Sequence, residues 1–209
     1  MIKINKQLEP QEWTRYRCTK GARYKSIPEL RKSLLEEQGY ICAYCMRRIP
    51  VKDSNSNEDS RIEHLLCRVQ HPESELCYNN MVICCPGAIN DNFHCDKKKG
   101  DNDISFNLFD NKLISTISYG SKNGEIKSSN QQYNREIKQI LNLNNKLLSK
   151  NRLETLNAII NFLKKKNDWN SYNLNNLIIK WNTKDKDGQF KPYCGIVIWF
   201  LEKKLKTTQ

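Results

Sequence analysis

The sequence has no apolar run near the roughly 20 residues that would cross a bilayer. Its first ten residues, MIKINKQLEP, lack the apolar stretch of a secretory signal. Internal repeats are absent too. Hydrophobic residues make up 38% of the 209, below the usual share for a globular domain, so the core must be economical and the surface strongly polar. Together these absences lead to the expectation of a soluble, cytoplasmic chain without membrane partners.

Charge and cysteine are abundant. The formal net charge is +12, and it is unevenly spread: residues 121–209 hold 17 Lys+Arg against 7 Asp+Glu, while 41–110 hold 8 against 11. A basic half beside a slightly acidic centre suits a protein that grips a polyanion and places metal ions in the middle. A coding bias toward Lys and Asn would give the same numbers with no such partner. The nine cysteines stand at 18, 42, 45, 67, 77, 84, 85, 95 and 194. An odd number argues against a disulfide framework, and seven of them between 42 and 95 point to metal.

Local patterns suggest an α+β chain, mainly helical around a small central unit. Ser26 reads as an N-cap for a helix that carries Leu30, Leu34 and Leu35 on one face and ends at Gly39. Residues 40–50 should form a hairpin or knuckle around Cys42 and Cys45, and 52–60 a polar loop. Arg61–Leu66 reads as a short strand, with 80–85 returning beside it. Residues 86–94 form a loop, and a short helix opens after Cys95. A hairpin with Asn-Gly turn chemistry is expected over 112–127. From 130 onward the spacing is helical: one stripe holds Ile137, Ile140, Leu141, Leu147 and Leu148, another Leu153, Leu156, Ile160 and Leu163. A further helix is expected over 171–180, and 195–201 is a buried helix, with a strand as the alternative. The chain thus divides into an N-terminal helical extension (1–39), a central unit (40–110) and a helical, basic C-terminal part (111–209).

The ordered set Cys42-x-x-Cys45, Glu63-His64, Asn80, Cys85 and Cys95-Asp96-x-x-Lys99 carries the chemistry. Two cysteines two residues apart can hold one zinc, and Cys85 with Cys95 would complete a tetrahedral thiolate site. Cys84 is the alternative to Cys85. Such an ion would clamp a loop-rich unit with too little core of its own. Between the zinc halves, His64 can act as a base at neutral pH. On a strand Glu63 points to the opposite face from His64 and could ligate a divalent metal, with Asp96 as the second ligand. Asn80 suits a role in orienting the backbone near His64. Lys97, Lys98 and Lys99 follow Asp96 and are candidates for phosphate contact or a solvated face. His71 and His94 read as surface residues, although His94 beside Cys95 could reach a metal.

In this order and spacing the chain resembles HNH nucleases. More narrowly, Cys42-Ala-Tyr-Cys45, Arg61-Ile-Glu-His64, Tyr78-Asn-Asn80, Cys85-Pro-Gly87, His94-Cys-Asp-Lys-Lys-Lys-Gly-Asp101 and Pro192–Leu201 resemble the PtuB family, the HNH component of Septu anti-phage systems, also found with retrons. The resemblance implies a zinc-pinned ββα-metal fold and a Mg²⁺- or Mn²⁺-dependent endonuclease. It further implies His64 and Asn80 as catalytic positions and Glu63 and Asp96 as metal ligands. As partners it implies DNA or RNA, an ABC/SMC-type ATPase (PtuA) and, in retron settings, a reverse transcriptase with its reverse-transcribed DNA. Asp96 stands where the family usually has His or Asn, and a carboxylate suits Mg²⁺. A zinc-dependent binding module that does not cut, and tRNA in place of DNA, are the alternatives.

Overall fold

The computed structural model describes residues 1–50, 60–89, 92–167 and 169–208; most of the polar loop expected over 52–60 lies outside them. Two helices open the chain. In α1 (Gln11–Arg17) Trp13 is fully buried. In α2 (Pro28–Glu37) Leu30 and Leu34 are fully buried as the apolar spacing foretells. Its N-cap is Ile27, not Ser26. Proline has no N–H to lose at a first helical position and pushes the preceding residue into extended backbone, so the helix begins one residue late for the serine to cap. Past α2, Gly39 turns with φ +58°, and a Cβ there would lie 2.5 Å from the Phe190 ring; only glycine fits both constraints.

Residues 40–50 form a knuckle closed by a bridge between Ile41 and Arg48, with the Met46 amide donating to the Cys42 carbonyl at 3.0 Å. Strands β1 (Arg61–His64) and β2 (Met81–Cys84) pair antiparallel, with Arg61 opposite Cys84 and Glu63 opposite Val82. Opposed residues share a face. One face therefore carries Arg61, Glu63, Val82 and Cys84, and the other Ile62, His64, Met81 and Ile83. Part of the loop expected over 86–94 pairs instead, as β3 (Ala88–Ile89) with β4 (Asn92–Phe93). Helix α3 (Cys95–Lys99) follows directly. Gly87 holds the start of this helix close: its carbonyl accepts from the His94 amide at 2.8 Å, and a Cβ would sit 2.6 Å from the His94 carbonyl oxygen. Two short strands and a helix thus meet around the knuckle, giving an α+β chain.

The C-terminal part departs from expectation in two places. Residues 111–116 are not strand but helix α4 (Asn111–Thr116), because the Asp110 side chain caps it by accepting from the Lys112 amide. Only β5 (Ile117–Tyr119) and β6 (Ile126–Ser128) make the hairpin. The stripe from Ile137 to Leu148 is not one helix either. Helix α5 (Gln131–Arg135) runs into a π turn over Glu136–Ile140 and stops; Asn142 has φ +47° and α6 (Lys146–Lys166) starts afresh from an Asn145 cap. The break does structural work. The Asn144 side chain accepts from the Ile126 amide at 2.8 Å and donates to its carbonyl at 3.0 Å, extending the β6 edge. The buried Arg152 guanidinium donates to the Gly124 and Leu143 carbonyls at 2.7 Å each.

Helices α7 (Ser171–Asn182) and α8 (Cys194–Thr208) finish the chain. The helix expected over 195–201 is present within α8, and the strand alternative is not: Ile196, Val197, Phe200 and Leu201 are buried at spacings of one and four, a helical stripe. Burying four such side chains contributes roughly 6–12 kcal/mol before entropy. The hydrophobic core runs without interruption from Met1 through the knuckle and β2 to Leu201, and the Cys95 amide donates to the Leu141 carbonyl at 2.9 Å. The central unit therefore leans on the C-terminal helices. No described helix is long and apolar enough to cross a membrane.

Candidate functional site

Four buried cysteines converge. The sulfurs of Cys42, Cys45, Cys85 and Cys95 all lie within 4.8 Å of one another. Cys42 to Cys95 measures 3.8 Å and Cys45 to Cys85 measures 3.7 Å. Four sulfurs bonded to zinc at about 2.3 Å in tetrahedral geometry would stand about 3.8 Å apart, so the donor set and its spacing fit zinc. The knuckle supplies one pair; the end of β2 and the start of α3 supply the other. Backbone strain marks both halves, with φ +60° at Met46 and +53° at Cys95, conformations that persist only where the surroundings enforce them. Burial pushes the Cys45 and Cys95 thiols up; at Cys42 burial acts in the same sense but is outweighed by hydrogen bonds from the neighbouring thiols, which together hold it well below its usual value. Four thiolates without a cation would repel, and a divalent ion is what lets all four deprotonate.

Cys84 is not in the quartet. It is buried on the β2 face that carries Val82 and, across the pair, Glu63, and its thiol is pushed up by burial. His94 is fully buried, a correction to the surface reading. Its Nδ1 lies 3.2 Å from Cys95 Sγ and 3.9 Å from Cys85 Sγ, and its Nε2 has no hydrogen-bond partner among the described residues.

Next to the quartet sits an acidic pair. Glu63, 4% exposed, comes from β1, and Asp96, 9% exposed, from α3. Glu63 Oε1 receives two donors: the Tyr44 hydroxyl at 3.0 Å and Lys99 Nζ at 2.9 Å. Asp96 Oδ2 is paired with the Arg61 guanidinium, itself half exposed. The ion pair with Lys99 and the burial of Glu63 act in opposite senses, and burial wins. Desolvation first, and then the Asp96 carboxylate, push Glu63 up to about 8 despite the ammonium. Two carboxylates held this way have a strong demand for a positive partner.

His64 lies on the other face of β1. Its Nε2 is 3.0 Å from the Glu75 carbonyl oxygen and its ring meets Tyr24 edge-on at 4.5 Å. A carbonyl can only accept, so Nε2 carries the proton and the neutral ring keeps its lone pair on Nδ1. Burial is the main reason the imidazole is held down at about 4, with the charges of Arg68 and Lys99 adding to it. The Asn80 side chain accepts from the Leu66 amide at 2.8 Å and donates to the Leu66 and Ser74 carbonyls at 3.0 and 3.2 Å. It fixes the backbone two residues past His64.

The three lysines of α3 divide. Lys97 and Lys98 are exposed, whereas Lys99 is fully buried. Its Nζ donates to the His64 carbonyl at 3.0 Å as well as pairing with Glu63. The expected phosphate contact is corrected for Lys99: its turn of the helix faces inward, and its charge is spent on two internal acceptors. Sequence reasoning also missed Tyr44, Arg61 and Arg68. Arg61, Glu63, His64, Arg68, Asp96 and Lys97 all border one open cavity of about 500 Å³. For Arg61 the signal was available, two residues before Glu63 and therefore on its face. No known family model matches the chain, and no curated protein matches it.

Proposed function

We propose that the chain is a metal-dependent HNH-type endonuclease that hydrolyses phosphodiester bonds in nucleic acid. The observation that carries this reading is the cavity, which gathers three carboxylates (Glu63, Asp96 and the exposed Asp101), an imidazole and three cationic side chains around one space. Glu63 and Asp96 would hold Mg²⁺ or Mn²⁺, which supplies charge neutralisation at the scissile phosphate and the leaving oxygen. His64 is the general base: it takes the proton of an attacking water on Nδ1, while the Glu75 carbonyl keeps the ring in that tautomer. Asn80 holds the strand end that presents it. Arg61, Arg68 and Lys97 supply the positive rim for the phosphate backbone. The role as an anti-phage effector with the ATPase PtuA, and with a reverse transcriptase in retron settings, rests on the family resemblance of the motifs.

One observation favours a second reading. Both carboxylates already have internal cations, Lys99 on Glu63 and Arg61 on Asp96, as in a zinc-dependent binding module that needs no second metal. Wild type and His64→Ala, incubated with plasmid DNA and with total RNA in Mg²⁺ or Mn²⁺ and the ATPase, separate the two. Strand cleavage by wild type and loss of at least a hundredfold in the variant, with nucleic-acid binding kept, is the expected result. Equal nicking by both would remove His64 from the chemistry, and binding without any cleavage would leave the module. The same comparison shows whether DNA or RNA, tRNA included, is cut.

A further inference from the structure

Tyr44 sits between the two cysteines of the knuckle, fully buried, and its hydroxyl donates to Glu63 Oε1 at 3.0 Å. Its backbone place is fixed on both sides: Cys42 and Cys45 are in the sulfur quartet, and the Ala43 amide donates to the Ile83 carbonyl of β2 at 3.1 Å. The second donor to the same oxygen is Lys99 Nζ at 2.9 Å. Oε1 is thus taken twice, and the carboxyl lies within hydrogen-bonding reach of Asp96, so Oε2 is the oxygen that would meet a cation shared by the two. A ligating carboxylate pinned in this way offers a fixed donor, and such outer partners commonly tune metal affinity.

We propose that Tyr44 is a positioning residue that couples the sulfur quartet to the divalent-cation site, by holding Glu63 so that it presents one oxygen beside Asp96. The inference rests on the reading of Glu63 as a metal ligand. It makes the occupied knuckle a requirement for tight divalent binding as well as for folding, because the quartet sets where the hydroxyl points.

The test is Mn²⁺ titration of the zinc-loaded full chain, followed by the electron paramagnetic resonance signal of free Mn²⁺, with zinc stoichiometry measured on each sample. Tyr44→Phe keeps every apolar contact and all four sulfurs, so it retains zinc. The expected result is about tenfold weaker Mn²⁺ binding. Tyr119→Phe also deletes a buried hydroxyl, one that receives the Met1 amine away from the site, and binds Mn²⁺ as wild type does. Glu63→Gln loses binding further than Tyr44→Phe. Wild-type affinity in Tyr44→Phe at full zinc occupancy would falsify the coupling and leave the ligand assignment standing. Equal affinity in wild type and Glu63→Gln would overturn the ligand assignment itself, and the coupling with it.

Discussion

At the scale of single residues, Asn80 shows how much of the site is backbone control. Its amide satisfies the Leu66 N–H and C=O together and reaches Ser74 as well, closing the turn that leaves β1 after His64. Asn80→Ala removes all three bonds and leaves two backbone groups unpaired near the surface of the core. A loss of about 2–3 kcal/mol is expected, since each stranded group costs about 1–3 and some recover water. Urea unfolding monitored by Tyr and Trp fluorescence measures it; a change under about 0.5 kcal/mol would show that the turn is held by other means. The Asn was readable as an orienting residue because it stands in the motif order. Tyr44 and Lys99 were not. Their roles depend on a carboxylate that reaches them only when the knuckle, β1 and α3 are brought together, and no local spacing encodes that.

At the scale of elements, the central unit is built from pieces too short to be stable alone: two four-residue strands and a five-residue helix. Isolated helices and hairpins of such length are marginal, so the sulfur quartet and the surrounding core must hold them. Cys84 and Cys85 give a direct reading of this. Cys85→Ser removes a corner of the quartet and should drop zinc stoichiometry well below one while lowering Tm by ten degrees or more, on the order of the loss of a structural metal. Cys84→Ser should retain one zinc, with a modest fall in Tm from placing a hydroxyl on a buried face. The reverse pattern in metal analysis would move the ligand to Cys84. The elements themselves were legible where a single period ruled: α2, β1, β2 and α8 lie close to where the apolar spacing puts them. They were misread where capping overrode the pattern. Asp110 starts a helix at the beginning of the hairpin expected over 112–127, and Asn142 to Asn145 interrupt a stripe that would otherwise continue from Ile137 to Leu148.

At the scale of the molecule, the question is whether the net charge of +12 is a footprint for a polyanion or a solvated surface. The exposed pair Lys97 and Lys98 follows Asp96 on α3, and Lys97 borders the cavity. Lys164, Lys165 and Lys166 end α6, where they also complement the helix dipole. The two sets make different demands on salt dependence, because each phosphate contact contributes about 0.9 to the slope of log affinity against log salt on duplex DNA. With the His64→Ala protein, to keep the nucleic acid intact, Lys97→Gln with Lys98→Gln should lower that slope by about 2. The α6 triple change to Gln should lower it by up to about 3 if the basic C-terminal part carries the same track. Fluorescence anisotropy of a labelled duplex over a salt series reads both. A slope that neither set changes would assign the lysines to solubility and dipole balance, and would leave the phosphate grip to Arg61 and Arg68 at the rim of the cavity.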